Sequence, residues 1–235
     1  MDTKAVKHKP GNRRISTLNP SLLFIESYKI LRSNLLSSLV AETSGNIIMV
    51  TSPNAGEGKT TVCANLAIAT AQTRSEVLII DADMRRPAQH KVFNIPNDKG
   101  LSSLLRGVAK TNNCIRKIYP CLHLLPAGPA PPNPSELLAS DQIDRLLTQL
   151  GETFKYIFLD TTSIDNVADS LVLAGKPVGT LLISRYGKTT YDGISTALEK
   201  LEHSGAKLLG LVVNGKGRRK NNTRYSLLSD YEKIK

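Results

Sequence analysis

Near the start of the chain the apolar positions Phe24, Tyr28, Leu31, Leu35 and Leu39 recur at spacings of four, three, four and four. That is one stripe of an α-helix. Asn19 followed by Pro20 predicts where the helix starts, with an N-cap and a proline in the first turn. At about 100° of turn per residue, Glu26, Lys29 and Arg32 form a second, charged stripe beside the apolar one. After residue 45 the pattern changes. Short β-rich runs, NIIMVTS, EVLIID, LHLLPAG, KYIFLD, VGTLLIS and LLGLVVN, alternate with stretches of helical period. The helical stretches are TTVCANLAIATAQ, NPSELLASDQIDRLLTQL, NVADSLVLAGK and TTYDGISTALEKLEHSG, the last closed by Gly205. In the second of them Asn133, Pro134 and Glu136 predict an N-cap, a first-turn proline and a capping box. The β-rich runs are almost continuously apolar, as strands buried on both faces are. Their alternation with helices predicts a single doubly wound α/β domain, a mostly parallel sheet flanked by helices. No internal repeat and no second domain is visible.

Charge divides the chain of 235 residues, whose formal net charge is +11. Residues 1–20 contribute five Lys/Arg against one acid, and residues 215–235 seven against two. The stretch between them is left near +2. The expected organisation is therefore a basic flexible N-terminal segment (1–20), a globular domain (21–214) and a basic C-terminal tail (215–235). Basic tails favour an anionic partner, while the domain itself shows no nucleic-acid footprint. No apolar run approaches the roughly 18 residues of a membrane span, and the N-terminus lacks the apolar stretch of a signal peptide. A cytoplasmic location is expected, with any membrane contact peripheral or through a partner. Cys63, Cys114 and Cys121 are scattered and form no C-x-x-C pair, which argues against a disulfide framework, a zinc site or an iron–sulfur scaffold.

The chemistry concentrates after the first predicted strand, in SPNAGEGKTT, Ser52 to Thr61. Gly58-Lys59-Thr60 ends a phosphate-binding loop, although Pro53 stands where the general pattern has its first glycine. Proline is compatible with a residue that only starts the turn. Gly56 and Gly58 allow backbone N–H groups to face phosphate oxygens, and the following helix adds its positive end. Lys59 can reach the β- and γ-phosphates, and the Thr60 hydroxyl can ligate Mg2+. Two further strands end in acids, IIDADMRRP at Asp81 with Asp83 two residues on, and YIFLD at Asp160. In an open parallel sheet ligands bind beyond the carboxyl ends of the strands, so these acids and Lys59 converge on one edge. Carboxylates grouped there repel one another unless a cation or a proton sits among them.

These residues resemble the bacterial tyrosine kinases of exopolysaccharide and capsule synthesis, a family with a deviant-Walker P-loop ATPase fold. The likeness runs from Glu26 to Asn214: GEGKT is similar to the family's Walker A, IIDADMRRP to its second Walker motif and YIFLD to its Walker B. GPAPPNPSELLAS is similar to the family's linker and helix, and ESYKILRSN to its E-x-x-R-x-x-R-x-N helix. The resemblance implies an autophosphorylating ATP- and Mg2+-dependent tyrosine kinase. In it Gly56, Glu57, Gly58, Lys59, Thr60 and Thr61 would bind the nucleotide, with Asn214 at the adenine. Thr60, Asp81 and Asp160 would serve the metal, and Asp83 would orient or deprotonate the acceptor hydroxyl. The resemblance also implies ring-like self-association through Glu26, Lys29, Arg32 and Asn34, a membrane adaptor of polysaccharide export as activator, and tyrosine-containing protein substrates. Arg85 and Arg86 would either stabilise charge or lie in the interface.

Several positions depart from the family pattern. Lys29 replaces the helix motif's first arginine, Ala55 replaces a loop proline, and Thr162-Ser163 replaces a Pro-Pro pair. The tail, tyrosine-rich in the family, offers only Tyr225 and Tyr231 as phospho-acceptors. Two other classes use the same fold. A switch ATPase of the partitioning type usually carries a lysine five residues before the Walker lysine, where this chain has Asn54. A non-catalytic, ATP-binding assembly regulator would not need the acids that are present here.

Overall fold

The computed structural model describes residues 22–39, 45–165 and 168–215. Seven strands form one sheet: β1 (Asn46–Thr51), β2 (Val77–Asp81), β3 (Arg116–Tyr119), β4 (Leu122–Leu125), β5 (Tyr156–Asp160), β6 (Gly179–Arg185) and β7 (Leu208–Asn214). Their spatial order is β3-β4-β2-β5-β1-β6-β7. Every pairing is parallel except β3 with β4. The expected doubly wound fold is present, with one addition. The short strand β3, RKIY, carries two charges in four residues and gives no apolar run to detect; it runs antiparallel at the sheet edge.

Among the described residues eight α-helices accompany the sheet: α1 (Leu22–Ser38), α2 (Lys59–Ala71), α3 (Gln89–Val92), α4 (Leu101–Leu105), α5 (Pro134–Ala139), α6 (Asp141–Thr153), α7 (Asp169–Leu173) and α8 (Tyr191–His203). Side-chain alternation along the strands divides the core between two faces. Ile48 and Val50 of β1, with Ile79 and Phe158, pack under Tyr28 and Leu35 of α1 and Leu66 of α2. Met49, Leu78, Ile80, Ile157 and Leu159 point the other way, onto Leu138, Ile143 and Leu147 of α5 and α6.

The single long helix expected after Asn133 is two helices broken at Ser140, whose backbone is extended. The expected capping box does not form either. The Asn133 side chain donates to the Glu136 carboxylate and makes no cap bond to the backbone. The Asn19–Pro20 helix start lies outside the described residues. Among the described residues no helix is long and apolar enough to cross a membrane.

The central strand β1 has β5 on one side and β6 on the other. The chain therefore winds away from β1 in both directions, and the crevice beyond its carboxyl end is where such a sheet takes a ligand. The glycine loop lies there. The strand ends are tied together by Thr161 N–H to the Val50 carbonyl, Ala82 N–H to the Asp160 carbonyl and the Thr51 hydroxyl to the Thr162 carbonyl. These bonds hold the bases of the loop and of both acidic segments in fixed register.

Candidate functional site

The glycine loop turns through two left-handed residues, Gly56 (φ 80°) and Gly58 (φ 99°), a conformation costly for a residue with a Cβ. At Gly58 space is a second constraint, since a Cβ would stand 2.1 Å from Asn214 Nδ2. Lys59 begins α2 and is almost wholly buried. The N–H groups of Lys59, Thr60 and Thr61 lie in the first turn, where a helix offers them no internal acceptor. Buried cation, left-handed turn and helix end together make an anion cradle.

Glu57 belongs to the cradle in a different way from its neighbours. Its carboxylate is fully buried and accepts from the Asn54 N–H, the Asn54 amide and the Thr189 hydroxyl, at 3.1, 3.3 and 2.6 Å. Arg185 Nη1 donates to the Gly56 carbonyl, and Asn214 Nδ2 donates to the Glu57 carbonyl at 2.9 Å. The Glu57 side chain is therefore a brace of the loop, and only its backbone is placed to meet a phosphate. Asn214 also holds the loop, so an adenine contact would fall to its amide oxygen. Thr189 and Arg185 were not anticipated. Arg185 ends β6 and Thr189 lies in the connection from β6 to α8, both far from the loop in sequence.

The acids meet as the strand register requires. Asp81 and Asp160 are direct neighbours across β2 and β5, and both are buried. Asp81 Oδ2 accepts from the Ala88 and Gln89 N–H groups at 3.0 and 2.9 Å. Asp160 Oδ2 accepts from Gln89 Nε2 at 2.9 Å, and the Thr60 side chain lies close to the same carboxylate. Burial and then the neighbouring Asp160 charge push the Asp81 carboxyl well up. Burial pushes Asp160 up to about 6, against the opposing pull of Lys59, Thr60 and Gln89. Asp81 Oδ1 and Asp160 Oδ1 are buried without a hydrogen-bond partner. Two adjacent orphaned carboxylate oxygens beside a threonine hydroxyl suit a hard divalent cation that keeps part of its water shell. A bound cation would also offset the repulsion that raises these carboxyls.

Asp83 is half-buried at the mouth of the site and accepts from the Arg86 N–H at 2.9 Å. Arg85 turns away from it. Its guanidinium makes two bonds to the buried Asp169 at the start of α7, Nε at 2.8 Å and Nη2 at 3.1 Å. Ser135 of α5 donates its hydroxyl to the same carboxylate. Burial acts to raise the Asp169 carboxyl, but the bonds from Arg85 and Ser135 outweigh it and hold the group below its usual value.

The charged stripe on α1 divides in two. Glu26 and Lys29 pair with each other at 2.7 Å on the exposed face, and Asn34 is exposed nearby. Arg32 is only half exposed and reaches inward, donating from Nη1 to the Ala69 carbonyl in the last turn of α2 at 2.8 Å. It therefore satisfies a helix-end acceptor within the chain. Tyr225 and Tyr231, the expected phospho-acceptors, lie outside the described residues.

Comparison with known proteins agrees with this geometry. A family model described as the CobQ/CobB/MinD/ParA nucleotide binding domain matches residues 48–228. Tyrosine-protein kinase wzc of Salmonella typhi is 33% identical over 92% of this chain, but the match spans only 30% of its own length. Tyrosine-protein kinase YwqD of Bacillus subtilis (strain 168) is 35% identical, over 90% of this chain and 91% of its own. Among solved structures, the kinase domain of Escherichia coli tyrosine kinase ETK superposes with a TM-score of 0.81 at 31% identity, covering 95% of this chain and 88% of that one. The chain belongs to the CobQ/CobB/MinD/ParA nucleotide-binding family and, within it, to the bacterial tyrosine-protein kinases.

Proposed function

We propose that the chain transfers the γ-phosphoryl group of ATP to protein tyrosine, its own and that of other proteins, in the control of exopolysaccharide or capsule synthesis and export. The observation that carries this reading is the convergence of Lys59, Thr60, Asp81 and Asp160 in one buried site with Asp83 half-exposed at its mouth. Bound Mg2+ would supply charge neutralisation on the phosphate oxygens, held by Thr60 and Asp81, with Asp160 acting through water. The backbone from Gly56 to Thr61 cradles the β-phosphate, and Lys59 places its ammonium between the β- and γ-phosphates. The Asn214 amide oxygen is the group that would face the adenine. Asp83 orients the tyrosine hydroxyl and takes its proton as the phenolic oxygen bonds to phosphorus. The bond from phosphorus to the β,γ-bridging oxygen breaks, and ADP leaves with that electron pair. A phenol with a pKa near 10 needs such a base only late in the transfer.

Tyr225 and Tyr231 are the proposed autophosphorylation sites. The exposed Glu26, Lys29 and Asn34 belong to the proposed surface of a ring-like homo-oligomer, with Arg32 supporting it from within. The activating partner is a cytoplasmic segment of a membrane adaptor, which would place the protein at the inner face of the membrane; no nucleic acid is required. Asn54, standing where switch ATPases carry a lysine, supports this reading over theirs.

An Asp83→Asn variant tests it. The variant should keep ATP affinity within about twofold and lose at least tenfold in tyrosine transfer, since general-base removal typically costs more than that. Transfer at the wild-type rate would refute the role of Asp83. Hydrolysis to free phosphate without any phosphotyrosine, in wild type and variant alike, would favour a switch ATPase.

A further inference from the structure

Gln89 is fully buried at the first position of α3. Its amide nitrogen donates to Asp160 Oδ2 at 2.9 Å and to the Thr60 carbonyl at 3.2 Å. Both neighbours are acceptors, so the orientation of the amide is fixed by chemistry: only the NH2 end can face them. Its backbone N–H donates to Asp81 Oδ2. One residue thus touches both strand-end carboxylates and the Thr60 backbone. The amide oxygen, Oε1, is buried and has no hydrogen-bond partner, like Asp81 Oδ1 and Asp160 Oδ1. An orphaned buried acceptor is costly, and three of them linked through one residue call for donors. Water bound to a divalent cation is such a donor, because its lone pair is directed at the metal and its hydrogens point outward. Mg2+ dehydrates reluctantly and keeps several waters.

Resting on the Mg2+ reading above, we propose that Gln89 is a positioning residue of the cation site. Its nitrogen holds the Asp160 carboxylate in place, and its oxygen accepts a hydrogen bond from a cation-bound water. Gln89 tunes how strongly the metal reinforces nucleotide binding and leaves the metal-free phosphate cradle alone. Its partners in the cradle are a backbone carbonyl and a carboxylate oxygen, neither of which faces a phosphate.

The test is calorimetric titration of ADP into the full chain, with Mg2+ and with EDTA. Gln89→Met keeps the length of the side chain and removes both polar ends. It should lower the Mg2+-dependent tightening of ADP by about tenfold, the scale of one unmade buried hydrogen bond. Affinity in EDTA should stay within twofold of wild type. Gln89→Asn, which keeps the amide but withdraws it by one carbon, should lose less. If thermal melts show Gln89→Met to be unfolded, Gln89→Asn takes its place under the same criterion. Unchanged Mg2+ tightening, or an equal loss with and without metal, would overturn the role of Gln89. A wild-type chain that binds ADP no more tightly with Mg2+ would overturn it together with the metal assignment itself.

Discussion

The Arg85–Asp169 pair offers a perturbation whose size follows from the geometry. Asp169 is almost fully buried, and its carboxylate accepts two bonds from Arg85 and one from Ser135. The pair ties the segment after β2 to α7, and Ser135 adds α5. Hydrogen bonds to charged groups contribute about 1.5–3 kcal/mol each, so two would give roughly 3–6 kcal/mol if both partners were buried. The Arg85 side chain is 42% exposed, however, and water both screens it and competes for it, which reduces the figure to about 2 kcal/mol. For a chain of this size each kcal/mol moves the melting temperature by about 2–4 °C. Arg85→Ala should therefore melt about 4–8 °C below wild type. The pH sign follows from the depressed folded-state value of Asp169. Its stabilisation is fully present above the ordinary aspartate pKa of about 3.9 and is lost as the pH falls through the depressed value. The gap between wild type and Asp169→Asn should thus be constant near neutrality and close on acidification below about pH 4. Urea denaturation of Arg85→Ala, Asp169→Asn and the double variant forms a double-mutant cycle, and it should return a coupling energy above about 1 kcal/mol. Additivity within about 0.3 kcal/mol would show that the bridge does not hold these elements together.

Three further outcomes are expected. Lys59→Met should fold normally yet bind ATP-Mg2+ at least tenfold more weakly by calorimetry, because the cradle loses its buried ammonium; equal affinities would sink the phosphate-loop assignment. Gly58→Ala should cost about 1–3 kcal/mol in a thermal melt, since it adds a Cβ at φ 99° into contact with Asn214, and it should weaken ADP as well. A normal melt would show that the loop is free to rearrange. Replacing Glu26 and Lys29 by alanine, with Arg32 left to cap α2, should shift the protein toward monomer in light scattering at little cost in stability, an exposed pair being worth less than about 1 kcal/mol. An unchanged oligomer would take the stripe out of the assembly surface.

The sequence carried the features that rest on local pattern or fixed spacing. Six of the seven strands are apolar runs of the expected length, and the acids of the site follow directly from two of them. β3 was hidden because a half-buried edge strand of four residues, two of them charged, shows no apolar run. The break at Ser140 was hidden because the helical period continues across it. At the site, charge and glycine pointed to Lys59, Asp81 and Asp160, which the fold gathers on one edge. Gln89, Thr189 and Asp169 gave no such signal. Gln89 is neutral, and the other two lie more than a hundred residues from the glycine loop, so their roles depend on which strand ends the topology makes adjacent. Arg32 illustrates the converse: helical spacing put it on the charged stripe, but its long side chain turns inward to an acceptor that only tertiary packing supplies.

The central claim is transfer of phosphate to tyrosine, and the most direct measurement incubates the purified chain with γ-labelled ATP, Mg2+ and the adaptor's cytoplasmic segment, followed by phosphoamino-acid analysis. The account predicts label on tyrosine, including Tyr225 or Tyr231 of the chain itself, and none when Lys59 is methionine. Label recovered only as free phosphate would contradict it.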